Sequence, residues 1–241
     1  HVIIAVNDLD AEHARAEKLG FTTTEITPHV GWGTANTCLM FRGLDGQGDY
    51  VEILGIRDPN VGTNGLKEHL AEQGEGLLSL ALKGKADMAV EAFDKNGITH
   101  FGVESLHRDV QVIPGMAQRA SFRLVRPQRG PFTPVPMFVC EHLNSNVVWA
   151  ERFLTHANGT IGIRAVQIMM PDNQNLGEGY EALLTGAFSG SASGPIGADL
   201  EFYTAEDWHQ IYGGPAKAGY RGYIVEPWDA SGVYVVFSDG T

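Results

Sequence analysis

The sequence predicts an α+β fold: paired βαβββ modules that curl a mixed sheet around a cavity, with a third, degenerate module following. Three observations carry that expectation. A strand–helix–three-strand order is written twice within residues 1–142. Each copy closes its helix with a glycine, Gly20 and then Gly97. Glycine, at 30 of 241 residues, is spread through the turns as a strand-rich chain requires.

In the first module, residues 1–57, Val2, Ile4 and Val6 alternate with His1, Ile3 and Ala5. Both parities are mostly apolar, as in a strand covered on both faces. Asp8 or Asp10 caps a helix over 11–19, and Gly20 supplies its left-handed stop. Strands follow over 21–27, 34–41 and 50–54, with the glycine-rich turn at 42–49 before the last. A Gly- and Asn-rich connector, 55–75, carries one short helix over 66–73. The second module, 76–142, repeats the order: a strand at 77–82, a helix at 86–95, and strands near 99–105, 118–125 and 136–142. A proline-rich loop precedes the last of these. Aligning Asp10 with Lys85 sets His1 opposite Gly76, and aligning the strand ends sets Glu52 opposite Cys140. The copies agree in architecture and differ in chemistry.

Residues 1–142 thus read as one paired domain and 143–160 as a linker. A C-terminal βαβ-type module, 161–241, is expected to pack on the pair. It has a strand over 162–170, a helix over 176–184, a small-residue loop over 186–197, and strands around 198–203, 219–226 and 233–237.

Composition narrows the function classes. The 17 basic and 29 acidic residues give a net charge of −12, which argues against nucleic-acid and anionic-membrane partners and favours a small-molecule substrate. No apolar run approaches the roughly 18 residues of a membrane span. Cys38 and Cys140 sit in apolar strand-like runs and read as reduced and buried, so a cytoplasmic location is expected. The start at His1 without Met reads as processed or trimmed, and no secretory leader is visible in the chain. No Walker loop, nucleophile elbow, Cys-x-x-Cys or dinucleotide glycine fingerprint is present.

Three constellations can carry chemistry. His1, Glu52 and His142, with Glu141 beside them, lie near strands that line the expected cavity. Two imidazoles and a carboxylate suit a divalent ion such as Zn, Fe, Mn or Ni and match the pattern of non-haem iron sites. The plainer alternative is a frayed His1, a Glu52 paired with an arginine, and a loop histidine. The second constellation is Gly31-Trp32-Gly33-Thr34-Ala35-Asn36, in which Trp32 faces a cavity or lid and Asn36 offers a ligand a polar handle. A Trp plugging the end of a sheet explains it equally well. The third is Arg119, Ser121 and Arg123, alternating with Ala120, Phe122 and Leu124. Such a polar face is usually solvated; on a concave sheet its two arginines would instead hold a carboxylate or enolate oxygen. His29 lies before the Gly-Trp-Gly segment, near the expected cavity mouth, while His69, His100, His107 and His209 stand alone.

The opening His-Val-Ile-Ile-Ala-Val-Asn-Asp-Leu-Asp (1–10), Leu-Gly-Phe (19–21), Gly-Trp-Gly-Thr-Ala-Asn (31–36) and Tyr-Val-Glu-Ile-Leu (50–54) resemble the glyoxalase-like branch of the vicinal oxygen chelate superfamily. The resemblance covers roughly residues 1–142. It implies a cavity between paired βαβββ units and one divalent metal that chelates adjacent oxygens of a substrate. It sets the first-strand ligand on His1 and the fourth-strand ligand on Glu52. The second module departs from the four-ligand pattern, with Gly76 and Leu77 at its first-strand position and Cys140 at its last, next to Glu141 and His142.

The expected function is a divalent-metal-dependent lyase or isomerase acting on a small molecule with adjacent oxygens. The metal is one ion of Zn, Fe, Mn or Ni held by His1, Glu52 and His142. Glu52 or Glu141 moves the proton, and Trp32, Asn36, Arg119 and Arg123 contact substrate. Two alternatives stay open: an Fe(II) ring-cleaving dioxygenase, and a metal-free protein that sequesters a small ligand. The odd number of modules also allows a homodimer.

Overall fold

The computed structural model describes residues 1–43, 46, 48–128, 136–169, 199–203, 205–212 and 236–238. The first module runs β1 (Val2–Val6), α1 (Leu9–Lys18), β2 (Thr27–Pro28), β3 (Thr34–Phe41) and β4 (Asp49–Ile56). After α2 (Leu66–Gln73), the second runs β5 (Gly76–Lys83), α3 (Ala86–Lys95), β6 (His100–Ile113), β7 (Met116–Pro127) and β8 (Met137–His142). All eight strands form one sheet in the order β2-β3-β4-β1-β5-β8-β7-β6. Within each module the first strand lies parallel to the fourth, and the modules meet where β1 runs antiparallel to β5. The fold is the α+β class that the repeat predicts.

Helix starts follow local chemistry. Asp8 caps α1, its carboxylate accepting from the Ala11 N–H at 2.9 Å, while Asp10 pairs with Arg57. The cap of α3 comes from another element: Glu141 on β8 accepts from the Ala86 N–H at 3.1 Å. The strand expected over 21–27 is reduced to Thr27–Pro28 and one bridge from Thr23 to Leu39. The threonines there bond through side chains instead of a regular ladder. Thr24 accepts from the Cys38 N–H at 2.9 Å, and Thr22 donates its hydroxyl to the Thr155 carbonyl at 2.6 Å.

Side chains sort onto two faces. One carries Val2, Leu39, Phe41, Val51, Ile53 and Val139 against α1 and α3, whose Ala16, Ala89 and Phe93 join the same core. The other carries Cys38, Met40, Tyr50, Ala120, Phe122, Leu124 and Cys140. This second face is concave. Five strands separate β3 from β6 in the sheet, yet Arg108 of β6 reaches Cys38 of β3 at 3.9 Å. Arg152 clasps the rim, bonding Glu25 near one end of the sheet and the Gln111 carbonyl on the β6 edge, both at 2.6 Å.

The residues after β8 do more than bridge. α4 (Ser145–Val148) and the turn at Glu151–Phe153 place Val147, Val148, Ala150 and Phe153 inside the concave face. Trp149 donates its indole N–H to the Asp49 carbonyl at 3.2 Å. His156 ties the same segment to the sheet: Nδ1 accepts from the Thr22 N–H at 2.9 Å and Nε2 donates to the Met40 carbonyl at 3.0 Å. β9 (Gly162–Met169) then places Ile163 and Val166 in the helix-side core and forms a three-stranded sheet with β10 (Asp199–Tyr203) and β11 (Val236–Ser238). α5 (Ala205–Tyr212) follows β10. The expected helix at 176–184, loop at 186–197, strand at 219–226 and start of the strand at 233–237 lie outside the described residues. Among those described, no helix is long and apolar enough to cross a membrane.

Candidate functional site

Strand alternation brings the first module's polar side chains to the concave face. His1 precedes β1, and its ring stacks on Tyr50 of the parallel β4, with centroids 4.0 Å apart and planes at 13°. Two residues along β4, Glu52 points the same way. Asn36 of β3, in the cross-strand row beside it, donates from Nδ2 to Glu52 Oε1 at 2.8 Å. Glu52 Oε2 accepts no hydrogen bond among the described residues and faces His1 Nε2 at 3.9 Å. His29 closes the other flank, its Nε2 also 3.9 Å from the carboxylate, at Oε1. The His29 ring is oriented by a 2.8 Å contact between Nδ1 and the Thr34 hydroxyl.

Burial sets the protonation states around this carboxylate. It lowers the pKa of His29, against the opposing pull of Glu52, so the ring is neutral near pH 7. It raises the Tyr50 phenol well above its usual range and pushes the Cys38 and Cys140 thiols up to about 11 and about 12. Those three groups therefore stay protonated, and neither cysteine is a nucleophile here. Access is graded. The His1 side chain is 4% exposed, Glu52 14% and His29 28%, so solvent reaches the carboxylate past His29.

The Gly-Trp-Gly segment forms the rim of this region. Gly31 adopts φ +81°, and a Cβ on Gly33 would meet the Asp58 carbonyl at 2.1 Å, so both glycines are needed for the turn itself. Trp32 stands half-exposed with its ring near Gly62, and its backbone N–H donates to the His29 carbonyl. Asn36, expected as a handle for ligand, instead fixes Glu52.

Several expected site residues lie elsewhere. His142 faces the same concavity but stands apart, its ring centroid 6.4 Å from that of His1 and packed against Trp149 at 4.7 Å and Phe122 at 5.3 Å. Its Nδ1 is buried without a hydrogen-bond partner, and burial lowers its pKa to about 3. A small pocket of about 20 Å³ opens beside it, lined by His1, Tyr50, Lys83, Cys140 and Trp149 among others. Glu141 points to the opposite face. Burial alone would raise its pKa, but the Ala86 N–H, Lys85 and Arg123 together hold it below the usual carboxylate range, and its role there is to cap α3.

Arg119 and Arg123 are also on that outer face, paired with Asp109 at 3.6 Å and with Asp87 at 2.6 Å. The concave face of β7 takes the apolar parity because Val147, Val148 and Phe153 fill it. The arginines that do face inward are Arg108 and Arg126, one on β6 and one on β7. The alternation of β7 offered either parity, and nothing local in the sequence announced the plug that decides between them.

The donor set can be tested against a divalent ion. His1 and Glu52 could share one, and Glu52 and His29 could do the same. No group of three His, Cys, Asp or Glu side chains among the described residues is placed to hold one ion. His142 makes its ring contacts with Trp149, Phe122, Tyr50 and His1, and forms no ion pair with Glu52 among the described residues. The residues present do not form the three-ligand centre of His1, Glu52 and His142. They do form a carboxylate held by an amide between two imidazoles, an arrangement suited to moving protons.

A family model described as a glyoxalase-like domain matches residues 1–184. Among solved structures, a methylmalonyl-CoA epimerase from Streptomyces coelicolor aligns at 18% identity and a TM-score of 0.47, covering 59% of this chain and 95% of that one. The methylmalonyl-CoA epimerase from Mycobacterium tuberculosis aligns at 15% and 0.42, over 58% and 85%. A fusion of a xylose isomerase-like TIM barrel with a 4-hydroxyphenylpyruvate dioxygenase aligns at 16% and 0.41, over 90% of this chain and 34% of that one. At these identities the likeness concerns fold and extends no further. No curated protein matches the chain.

Proposed function

We propose, for a chain that belongs to the glyoxalase-like domain family, an enzyme that abstracts a proton next to a carbonyl in a small, oxygen-rich molecule, with Glu52 as the base. The observation that carries this reading is the state of the Glu52 carboxylate: Oε1 held by Asn36 at 2.8 Å, Oε2 without a hydrogen bond among the described residues, and an imidazole on either flank. Asn36 removes the rotational freedom of the carboxylate, so the lone pairs of Oε2 keep one direction. His1 Nε2, 3.9 Å from Oε2, is the imidazole beside a proton taken there, while His29, neutral near pH 7, flanks Oε1 on the more exposed side. Returned to the opposite face of the carbanion carbon, a proton yields epimerase chemistry, and delivered to the neighbouring carbon of an enediolate it yields isomerase chemistry; loss of a leaving group from the carbanion yields lyase chemistry.

A metal-assisted version of this reaction would keep His1 and Glu52 and require a third donor beyond the described side chains. The ring-cleaving dioxygenase reading would require the same, and so has less support from this geometry.

The test is solvent exchange. In D2O, the protein should accelerate deuterium uptake at the carbon beside the carbonyl in a panel of small 2-hydroxycarbonyl and 1,3-dicarbonyl acids, followed by proton NMR. Glu52→Gln should slow that exchange by about a hundredfold or more, and Glu52→Asp by less. Exchange at the wild-type rate in Glu52→Gln would rule Glu52 out as the base.

A further inference from the structure

A guanidinium carries five N–H donors and a permanent charge, so enclosing one without an acidic partner is costly. Of the two arginines on the concave face, Arg126 has such a partner. It forms an ion pair with Glu104, and its guanidinium lies 5.5 Å over the Phe138 ring. Arg108 has none. Its one hydrogen bond among the described residues runs from Nη1 to the Cys38 thiol at 3.9 Å, a long contact to a weak acceptor, and its Cζ sits 5.9 Å over Phe122. No Asp or Glu oxygen among the described residues is within ion-pair distance of it.

Two contacts locate this cation on the concave face, the Cys38 thiol on β3 and the Phe122 ring on β7, and its charge favours the ionised Glu52 and the neutral His29. Cys38 is the cross-strand neighbour of Glu52, which brings the guanidinium of Arg108 to the Glu52 end of the concave face.

We propose that Arg108 anchors a carboxylate of the substrate, taking its two oxygens on the guanidinium fork while the adjacent carbon faces Glu52. The substrate class is then a carbonyl compound of a few carbons that carries a carboxylate; the inference rests on Glu52 being the base. A single guanidinium between Phe122 and a thiol matches one planar, singly charged group. A phosphate would leave its third oxygen and second charge without donors. A net charge of −12 on the chain makes a local cation the necessary condition for an anion to settle here.

The experiment is titration of the full chain with malonate and pyruvate, beside neutral malonamide and inorganic phosphate, read by tryptophan fluorescence and calorimetry. The carboxylates should bind, malonamide should not, and phosphate should bind more weakly than malonate. Arg108→Met should weaken malonate by about tenfold to a hundredfold, and Arg108→Lys, which keeps the charge and loses the fork, by an intermediate factor. Circular dichroism checks that each variant folds; should Arg108→Met not fold, Arg108→Lys decides alone. Carboxylate binding unchanged in the folded variants, phosphate binding tighter than malonate, or no carboxylate binding by wild type would overturn the proposal. Glu52→Gln separates the two readings. Malonate bound through Arg108 without any Glu52-dependent exchange defeats the base and leaves the anchor; Glu52-dependent exchange with unaltered malonate binding in Arg108→Met defeats the anchor alone.

Discussion

Replacing His142 with phenylalanine should make the protein less sensitive to mild acid. The ring is enclosed by Trp149, Phe122 and Tyr50, with centroids at 4.7, 5.3 and 6.3 Å, and phenylalanine fits that aromatic setting. Burial lowers the imidazole from 6.5 to about 3, with the positive charges of Lys83 and Arg108 acting in the same direction. A folded pKa below the unfolded one means that the unfolded chain binds a proton the native state refuses. Stability from this group is therefore complete above pH 6.5 and is lost as pH falls towards 3. At about 1.4 kcal/mol per pH unit, the loss is roughly 0.2 kcal/mol at pH 7 and about 2 kcal/mol at pH 5. Between those two pH values the result hardly depends on the folded pKa, because the native ring stays neutral throughout. Urea unfolding of both proteins at pH 7 and pH 5 measures it. Wild type should lose about 2 kcal/mol more than His142→Phe over that interval. His29 and His156, also lowered by burial, contribute equally to both proteins and cancel. Equal losses in the two proteins would refute the reasoning.

Other expectations test the frame. Gly48→Ala should destabilise by about 1–3 kcal/mol in urea, since its Cβ would meet the Trp149 indole at 2.4 Å and Gly48 holds φ +82°. His156→Ala should cost roughly 2–4 kcal/mol, because it leaves the Thr22 N–H and the Met40 carbonyl unpaired beneath Phe41, with unfolding at constant pH as the measurement. Because no third donor among the described residues is placed to share an ion with His1 and Glu52, dialysis against a chelator should move the thermal midpoint by less than about 1 °C. A fall of several degrees that added Zn, Mn, Ni or Fe reverses would show that a metal centre assembles by rearrangement.

The sheet was legible from residues 1–142 because each module repeats one order of strand, helix and turn, and periodicity reports that order directly. His1 and Glu52 were legible for the same reason, since strand parity fixes which residues look inward. His29 was visible only as a histidine near a turn; its approach to Glu52 depends on how Gly31 and Gly33 fold the chain back. Arg119 and Arg123 show where parity stops helping. Both faces of β7 read as usable, and the choice was made by Val147, Val148 and Phe153, which come from another part of the chain. Its place at a strand end near Cys140 makes His142 read as a ligand, and adjacency along the chain says nothing of Trp149 and Phe122, which pack on its ring.

The plug formed by α4 and the turn after it also breaks a symmetry. A sheet made from two copies of one module offers two equivalent concave halves, each with its own fourth strand. Val147, Val148 and Phe153 share one cluster with Cys140, the counterpart of Glu52, and with Cys38, Met40 and Tyr50 of the first module, so the plug packs across both halves. Duplication supplied two cradles; the stopper joins their apolar floors into one cluster, and Glu52 is left with its polar neighbours Asn36, His1 and His29. Changes in the plug should therefore register first as altered stability, and changes around Glu52 first as altered turnover.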